Sequence, residues 1–146
     1  MRELTGDLWE VEADARVITT NGAIKTNGRA VMGRGVAAQA LQRYPDINWT
    51  LGRLIAANGN HVGMLGWASD PTGWLLSFPV KHHWRQMADL ALIERSTLEL
   101  VAVADECKFN TVVLPRPGCG NGGLRWEDVK PVIEPLLDDR FVVVER

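Results

Sequence analysis

The stretch TVVLPRPGCGNGGLRWEDV, Thr111 to Val129, changes character twice along its length. "TVVL" (111–114) is a short, bulky, β-branched run of the kind that forms a buried strand. "PRPGCGNGG" (115–123) then places four glycines, Gly118, Gly120, Gly122 and Gly123, within six residues. From Trp126 the spacing turns helical, and the acids Glu127 and Asp128 suit the positive end of a helix predicted to run to Leu137. A strand, a glycine-rich loop and a helix in that order point to an α/β domain.

Outward from this stretch the same alternation repeats. Strands are predicted at "VITT" (17–20), "VGMLGW" (62–67), "WLLSF" (74–78) and "FVVV" (141–144), with a weaker candidate in "RELTGDLWE" (2–10) that turns at Gly6-Asp7. Leu90, Ile93, Thr97, Leu98, Val101 and Ala104 keep three- and four-residue spacing, which predicts a helix from about Ala88 to Glu106. Shorter helices are predicted from Val36 to Arg43, ahead of Pro45, and from Ile47 to Ala57, ahead of Asn58-Gly59. Strands alternating with helices imply layers around a largely parallel or mixed sheet. No linker, repeat or low-complexity segment interrupts the pattern.

A length of 146 residues, 46% hydrophobic and 23% charged, is the size and composition of one globular domain. The net charge of −2 excludes a generally basic nucleic-acid coat, so an anionic ligand must be met by local charge. Cys107 and Cys119 form neither a disulfide framework nor a metal-ligand set. The opening "MRELTGDLWE" lacks a secretory signal's design, and no apolar run approaches the ~20 residues of a membrane span. The expectation is a cytoplasmic, soluble chain without membrane contact.

Ligands of open α/β sheets gather beyond the carboxyl ends of the strands. Three loops follow strands directly: "NGAIKTNGRAVMGRG" (21–35), "PVKHHWR" (79–85) and "PRPGCGNGG" (115–123). Glycine costs roughly 0.5–1 kcal/mol relative to alanine in ordered segments, so four in one loop represent ~2–4 kcal/mol. Backbone without Cβ can approach a ligand and turn its N–H groups toward an anion, although a tight unliganded turn explains such a loop as well. Gly33-Arg34-Gly35-Val36-Ala37-Ala38 fits the dinucleotide pattern G-x-G-x-x-A, but the strand and the acidic residue that the pattern needs are misplaced. What survives is a helix start able to hold a phosphate, or an ordinary helix start.

Lys81 is the most reactive candidate, because it follows a buried strand and neighbours His82, His83 and Arg85. To act as a nucleophile at neutral pH it must lose its proton, a change of ~4–5 kcal/mol that neighbouring cations and burial both favour. The adjacent histidines make a weak metal site, and packing or orienting roles suit them better than acid–base work. Cys119 reads as a small packing residue. Of the six tryptophans, Trp9, Trp67, Trp74 and Trp126 read as core, while Trp49 and Trp84 could equally stack on a base.

Taken together, "TGDL", the asparagines after the second strand, "VMGRGVA" before a helix ending in "RYP", and "PRPGCGNGGLRWEDV" resemble a macrodomain, the ADP-ribose-binding fold. The likeness runs along nearly the whole chain, implying a single macrodomain over 1–146 with three α/β/α layers and a central mixed sheet of about six strands. "FPVKHHWR" is similar to the lysine-dependent, DarG-type branch of DNA ADP-ribosyl glycohydrolases, which are antitoxins. The resemblance implies that Asp7 and Leu8 hold adenine, and that Asn21 and Asn27 meet the distal ribose. Met32, Gly33, Arg34, Gly35 and Val36 would pass under the pyrophosphate and distal ribose. Gly118, Cys119, Gly120, Asn121, Gly122, Gly123 and Leu124 would wrap the other side of the diphosphate. Lys81 would attack the anomeric carbon of the distal ribose and form a ring-opened imine, with no metal and no cofactor. Asn121-Gly122 stands where a related branch has an aspartate, and Arg125 where the antitoxins tend to have an acid. The implied partners are ADP-ribose or an ADP-ribosylated substrate, single-stranded DNA, and a cognate ADP-ribosyltransferase toxin. Hydrolysis of ADP-ribose esters on protein or of O-acetyl-ADP-ribose, and ADP-ribose binding without turnover, are the competing activities.

Overall fold

Side chains alternate across each strand, and that alternation decides which helix covers which face of the sheet. In a computed structural model describing residues 1–146, six strands form one sheet: β1 (Arg2–Thr5), β2 (Ala15–Asn21), β3 (Gly63–Ser69), β4 (Thr72–Lys81), β5 (Val112–Pro115) and β6 (Phe141–Glu145). Their order is β1-β6-β5-β2-β4-β3. Every neighbouring pair is parallel except β3 with β4, so the sheet is mixed as expected. Four helices, α1 (Gly35–Arg43), α2 (Ile47–Asn58), α3 (Leu90–Cys107) and α4 (Trp126–Ile133), make the connections that parallel strands require.

Ala15 and Val17 of β2, Leu76, Phe78 and Val80 of β4, and Phe141 and Val143 of β6 face α3 and α4, packing on Ile93, Leu100, Val129 and Ile133. Ile18 and Leu75 point the other way, onto Ala37 and Ala40 of α1 and Ile47 and Leu51 of α2. A third cluster, Leu8 with Val113, Val142 and Val144, closes that second face near β1. Each fully buried Val, Leu, Ile or Phe contributes roughly 1.5–3 kcal/mol, and their placement on both faces yields the three layers. No helix is long and apolar enough to cross a membrane.

Two element ends differ from the sequence expectation at a proline. β4 continues through Pro79 to Lys81 instead of stopping at Phe78. Proline is excluded from strands where its missing N–H would break a ladder, but the ladder with β3 ends at Ser77 and Pro79 lies beyond it. The last helix ends as an α-helix at Ile133 and tightens into a 3-10 turn over Glu134–Leu136. Pro135 has no N–H for the next α-helical bond, and Leu137 N–H instead donates to Glu134 O at 3.3 Å.

The long segment after β2 folds back on itself and lies against α2. Lys25 N–H donates to Arg29 O at 2.8 Å, and Ala30 N–H to Asn48 O at 2.8 Å. A Cβ on Gly52 of α2 would sit 2.0 Å from Gly28 O, so this contact exists only because α2 carries a glycine there.

Candidate active site

β5, β2 and β4 are adjacent and parallel, so Pro115, Asn21 and Lys81 deliver their loops to one edge of the sheet. The three loops singled out in the sequence therefore meet, and they enclose a cleft of ≈ 510 Å³.

The β2 loop is held by Asn21, whose Nδ2 donates to Val31 O at 3.1 Å while its Oδ1 accepts from Ala23 N–H at 2.9 Å. This fold-back brings Gly33 and Arg34 to the cleft as α1 begins. No side chain caps α1, and Ala38 N–H is the first to bond back, to Arg34 O at 3.2 Å. Gly35, Val36 and Ala37 all line the cleft, and first-turn amides of a helix lack intrahelical acceptors. A cleft against such a terminus favours an anion.

Lys81 ends β4 with its side chain reaching across the cleft, where Nζ donates to Asn121 O at 3.2 Å. Its backbone is fixed from behind, since Lys81 O accepts from Asn60 Nδ2 at 3.0 Å. His82 turns away and its Nε2 lies 2.7 Å from the carboxylate of Asp89, the N-cap of α3. That contact, with the amides of Ala91 and Leu92, holds the Asp89 carboxyl below the usual carboxylate range. Trp84 lines the cleft, stacked on His83 at 5.5 Å between ring centroids.

The glycine loop is tied to the lysine loop by backbone. Ala88 N–H donates to Gly122 O at 2.9 Å, and Asp89 N–H to Val80 O at 2.9 Å. Within the loop, Gly120–Gly122 form a 3-10 turn and Leu124 N–H returns to Gly118 O at 3.0 Å. Gly118 has φ of +77° and a Cβ there would meet Ile93 Cδ1 at 2.6 Å, so it is a packing glycine. Gly120, with φ of +70°, has nothing within 4 Å of its missing Cβ, and Gly33 across the cleft is equally open.

Of the residues predicted to bind, Asn21, Gly33, Arg34, Gly35, Val36, Gly118, Cys119, Gly120, Asn121 and Gly122 line the cleft together with Lys81. Asp7, Leu8, Asn27, Met32, Gly123 and Leu124 do not. The Asp7 carboxylate accepts from Trp9 N–H at 2.9 Å, and Leu8 is buried in the cluster against which Val36 packs. Asn27 is exposed in the β2 loop, where its side chain accepts from Arg29 N–H, and Met32 is buried under α1 and α2. Gly123 packs by Met87 and Leu124 against the α3–α4 core.

Sequence reasoning passed over Thr19, Thr20, Val31, Ala37, Val80, Pro115 and Arg116, which also line the cleft. Arg116 was findable, as a charge directly after a buried strand. No carboxylate and no imidazole lines the cleft, whereas Arg34, Lys81 and Arg116 do. Burial pushes the Cys119 thiol up, against the opposing pull of Arg116, so it stays protonated. The chemistry available is an anion-receptive cradle with one amine at its side.

An α/β/α sandwich with a glycine-lined, cationic cleft at the carboxyl ends of its central strands defines a nucleotide-binding class of domain. The sequence profile of the Macro domain family matches residues 25–133, and the chain belongs to this family. The DNA ADP-ribosyl glycohydrolase of Mycobacterium tuberculosis is 33% identical over 137 residues, an alignment covering 86% of this chain and 35% of that protein. The macrodomain of Mycobacterium tuberculosis DarG superposes with a TM-score of 0.80 at 29% identity, covering 99% of this chain and 97% of that one. The macrodomain of Thermus aquaticus DarG does so with a TM-score of 0.80 at 30% identity over the same shares. The chain spans little more than a third of the length of the curated relatives it matches.

Proposed function

We propose that this chain is a macrodomain ADP-ribosyl glycohydrolase that releases ADP-ribose from a modified nucleobase in DNA, with Lys81 as nucleophile. One observation carries the reading: Lys81 supplies the only amine of a cleft that contains no carboxylate or imidazole. The amides at the start of α1 and the open faces of Gly33 and Gly120 suit a diphosphate. Arg34 and Arg116 add charge of the matching sign. The similarity to proteins named DNA ADP-ribosyl glycohydrolase favours a base–ribose bond over an ester.

In this reading the neutral Nζ of Lys81 attacks the anomeric carbon of the distal ribose. The base departs as its glycosidic bond breaks, taking up one proton while the amine gives one up. Ring opening leaves an imine, and one water returns ADP-ribose and the free amine. Residues 1–146 act as one macrodomain, with a cognate ADP-ribosyltransferase as natural counterpart. That pairing is supported by a Thermosipho africanus relative, 27% identical, described as a fusion of a DNA ADP-ribosyl transferase and a DNA ADP-ribosyl glycohydrolase.

Lys81→Ala is expected to keep ADP-ribose affinity within about threefold while lowering release from ADP-ribosylated single-stranded DNA by about 10³-fold or more, the scale of removing a covalent nucleophile. Borohydride added during turnover should trap the sugar on Lys81. Intact turnover in the alanine variant would refute the mechanism. A wild-type protein that binds ADP-ribose and releases nothing would make it a reader. Faster release from an ADP-ribosylated glutamate peptide than from DNA would favour the ester reading.

A further inference from the structure

Arginine capping of tryptophan recurs in this molecule. Arg43 covers Trp9, Arg29 covers Trp49 and Arg116 covers Trp126, at 4.5–4.9 Å from guanidinium carbon to ring centroid. In these three cases the ring is buried or half-buried. Trp9 and Trp126 also spend their indole N–H inside the protein, on Gln39 and Glu3. Trp67 and Trp74 satisfy each other edge to face across β3 and β4. Trp67 and Trp74 are 57% and 36% exposed rather than core as the sequence suggested, and neither carries an arginine cap, so Trp84 breaks the pattern only among the capped rings. Arg85 covers it at 4.7 Å and His83 stacks on it at an interplanar angle of 29°, yet Trp84 remains 43% exposed.

The surroundings make that exposure more than a packing remnant. All three planar groups are exposed, they begin two residues after Lys81 in the chain, and Trp84 itself lines the cleft. Arg85 is held in no ion pair, so its guanidinium can meet a phosphate while remaining in the stack. An exposed stack of planar groups that includes an unpaired guanidinium is a surface on which unpaired bases stack and backbones are neutralised.

We propose that the His83–Trp84–Arg85 stack is a docking platform for the nucleotide that borders the modified base in a single-stranded DNA substrate. This assignment rests on the glycohydrolase reading above. It makes Trp84 a specificity-determining residue: it distinguishes an ADP-ribosylated strand from ADP-ribose attached to a small group, through a neighbour that takes no part in the bond broken.

The test compares kcat/KM for an ADP-ribosylated single-stranded oligonucleotide with that for the ADP-ribosylated mononucleoside carrying the same base. The wild-type protein should favour the oligonucleotide by about tenfold, equivalent to ~1.4 kcal/mol of stacking. Trp84→Ala should reduce that advantage to about twofold or less, and Trp84→Phe, which keeps a stacking ring, should retain most of it. Arg85→Ala should flatten the salt dependence of oligonucleotide binding by about the ~0.7 log units per decade of one phosphate contact. An unchanged oligonucleotide advantage in Trp84→Ala would overturn the platform, as would an equal loss on an ADP-ribosylated glutamate peptide. Release from both nucleic substrates without a Trp84-dependent advantage overturns the platform alone, whereas release from neither overturns the glycohydrolase reading with it.

Discussion

Gly33 and Gly118 lack a side chain for opposite reasons. At Gly118 the space is already filled, by Ile93 Cδ1 at 2.6 Å from where a Cβ would stand, and φ is +77°. Gly118→Ala is therefore expected to destabilise the fold by about 2 kcal/mol or more, combining left-handed backbone strain with overpacking. At Gly33 nothing lies within 4 Å, so a methyl group there would project into open space at the cleft. Gly33→Ala should leave stability within about 0.5 kcal/mol of the parent and weaken ADP-ribose binding about tenfold. Urea denaturation and calorimetric titration of both variants check the contrast. Equal loss of stability in the two would mean that Gly33 is a folding residue. The glycine loop signalled a site from sequence alone, but which glycine serves packing and which serves access depended on Ile93 and Ala88, neither of which adjoins the loop in the chain.

The helix that supports the lysine loop starts from Asp89, which accepts from Ala91 N–H at 2.9 Å and Leu92 N–H at 3.5 Å and also engages His82. The His82 hydrogen bond is the largest cause holding the Asp89 carboxyl below its ordinary range, followed by the two amides against the opposing effect of burial. A carboxyl depressed in the folded state stabilises fully above its unfolded value, and that contribution is lost as pH falls through the folded one. Asp89→Ala should cost about 1 kcal/mol near neutrality, and its difference from the parent should shrink below about pH 4. Urea midpoints followed against pH test this, and a difference that stays constant into acid would exclude the carboxylate as its source. Strand and helix positions were legible because Val17, Leu76, Val112 and Val143 carry a plain buried pattern. The extension of β4 was not, since Pro79 reads as a stop until the early end of the β3 ladder is known. Asn27 followed a strand and carried a suitable amide, but the fold-back of the β2 loop turns it to solvent. Trp84 could not be told from a core residue by spacing, and only its exposure separates it from Trp9.

Across the whole molecule the charge is −2 and the isoelectric point about 5.9, yet the cleft is lined by cations alone among its charged side chains. The anionic ligand is thus attracted locally and repelled overall, a balance that depends on a Debye length of about 10 Å at 0.1 M salt. Raising ionic strength from about 0.05 to about 0.5 M should weaken ADP-ribose binding several-fold while leaving uncharged adenosine unaffected. Parallel titrations of the two ligands decide the point, and an equal response would exclude the cleft cations as the cause.

The link from Ala88 N–H to Gly122 O joins main chain to main chain between the segment after Lys81 and the glycine loop. It works as a fixed gauge between those two segments, because their spacing is held by main chain whatever side chains they carry. Exchanging residues around that gauge alters what the two segments present rather than how far apart they stand. New chemistry can therefore be written onto them while their calibre is inherited unchanged.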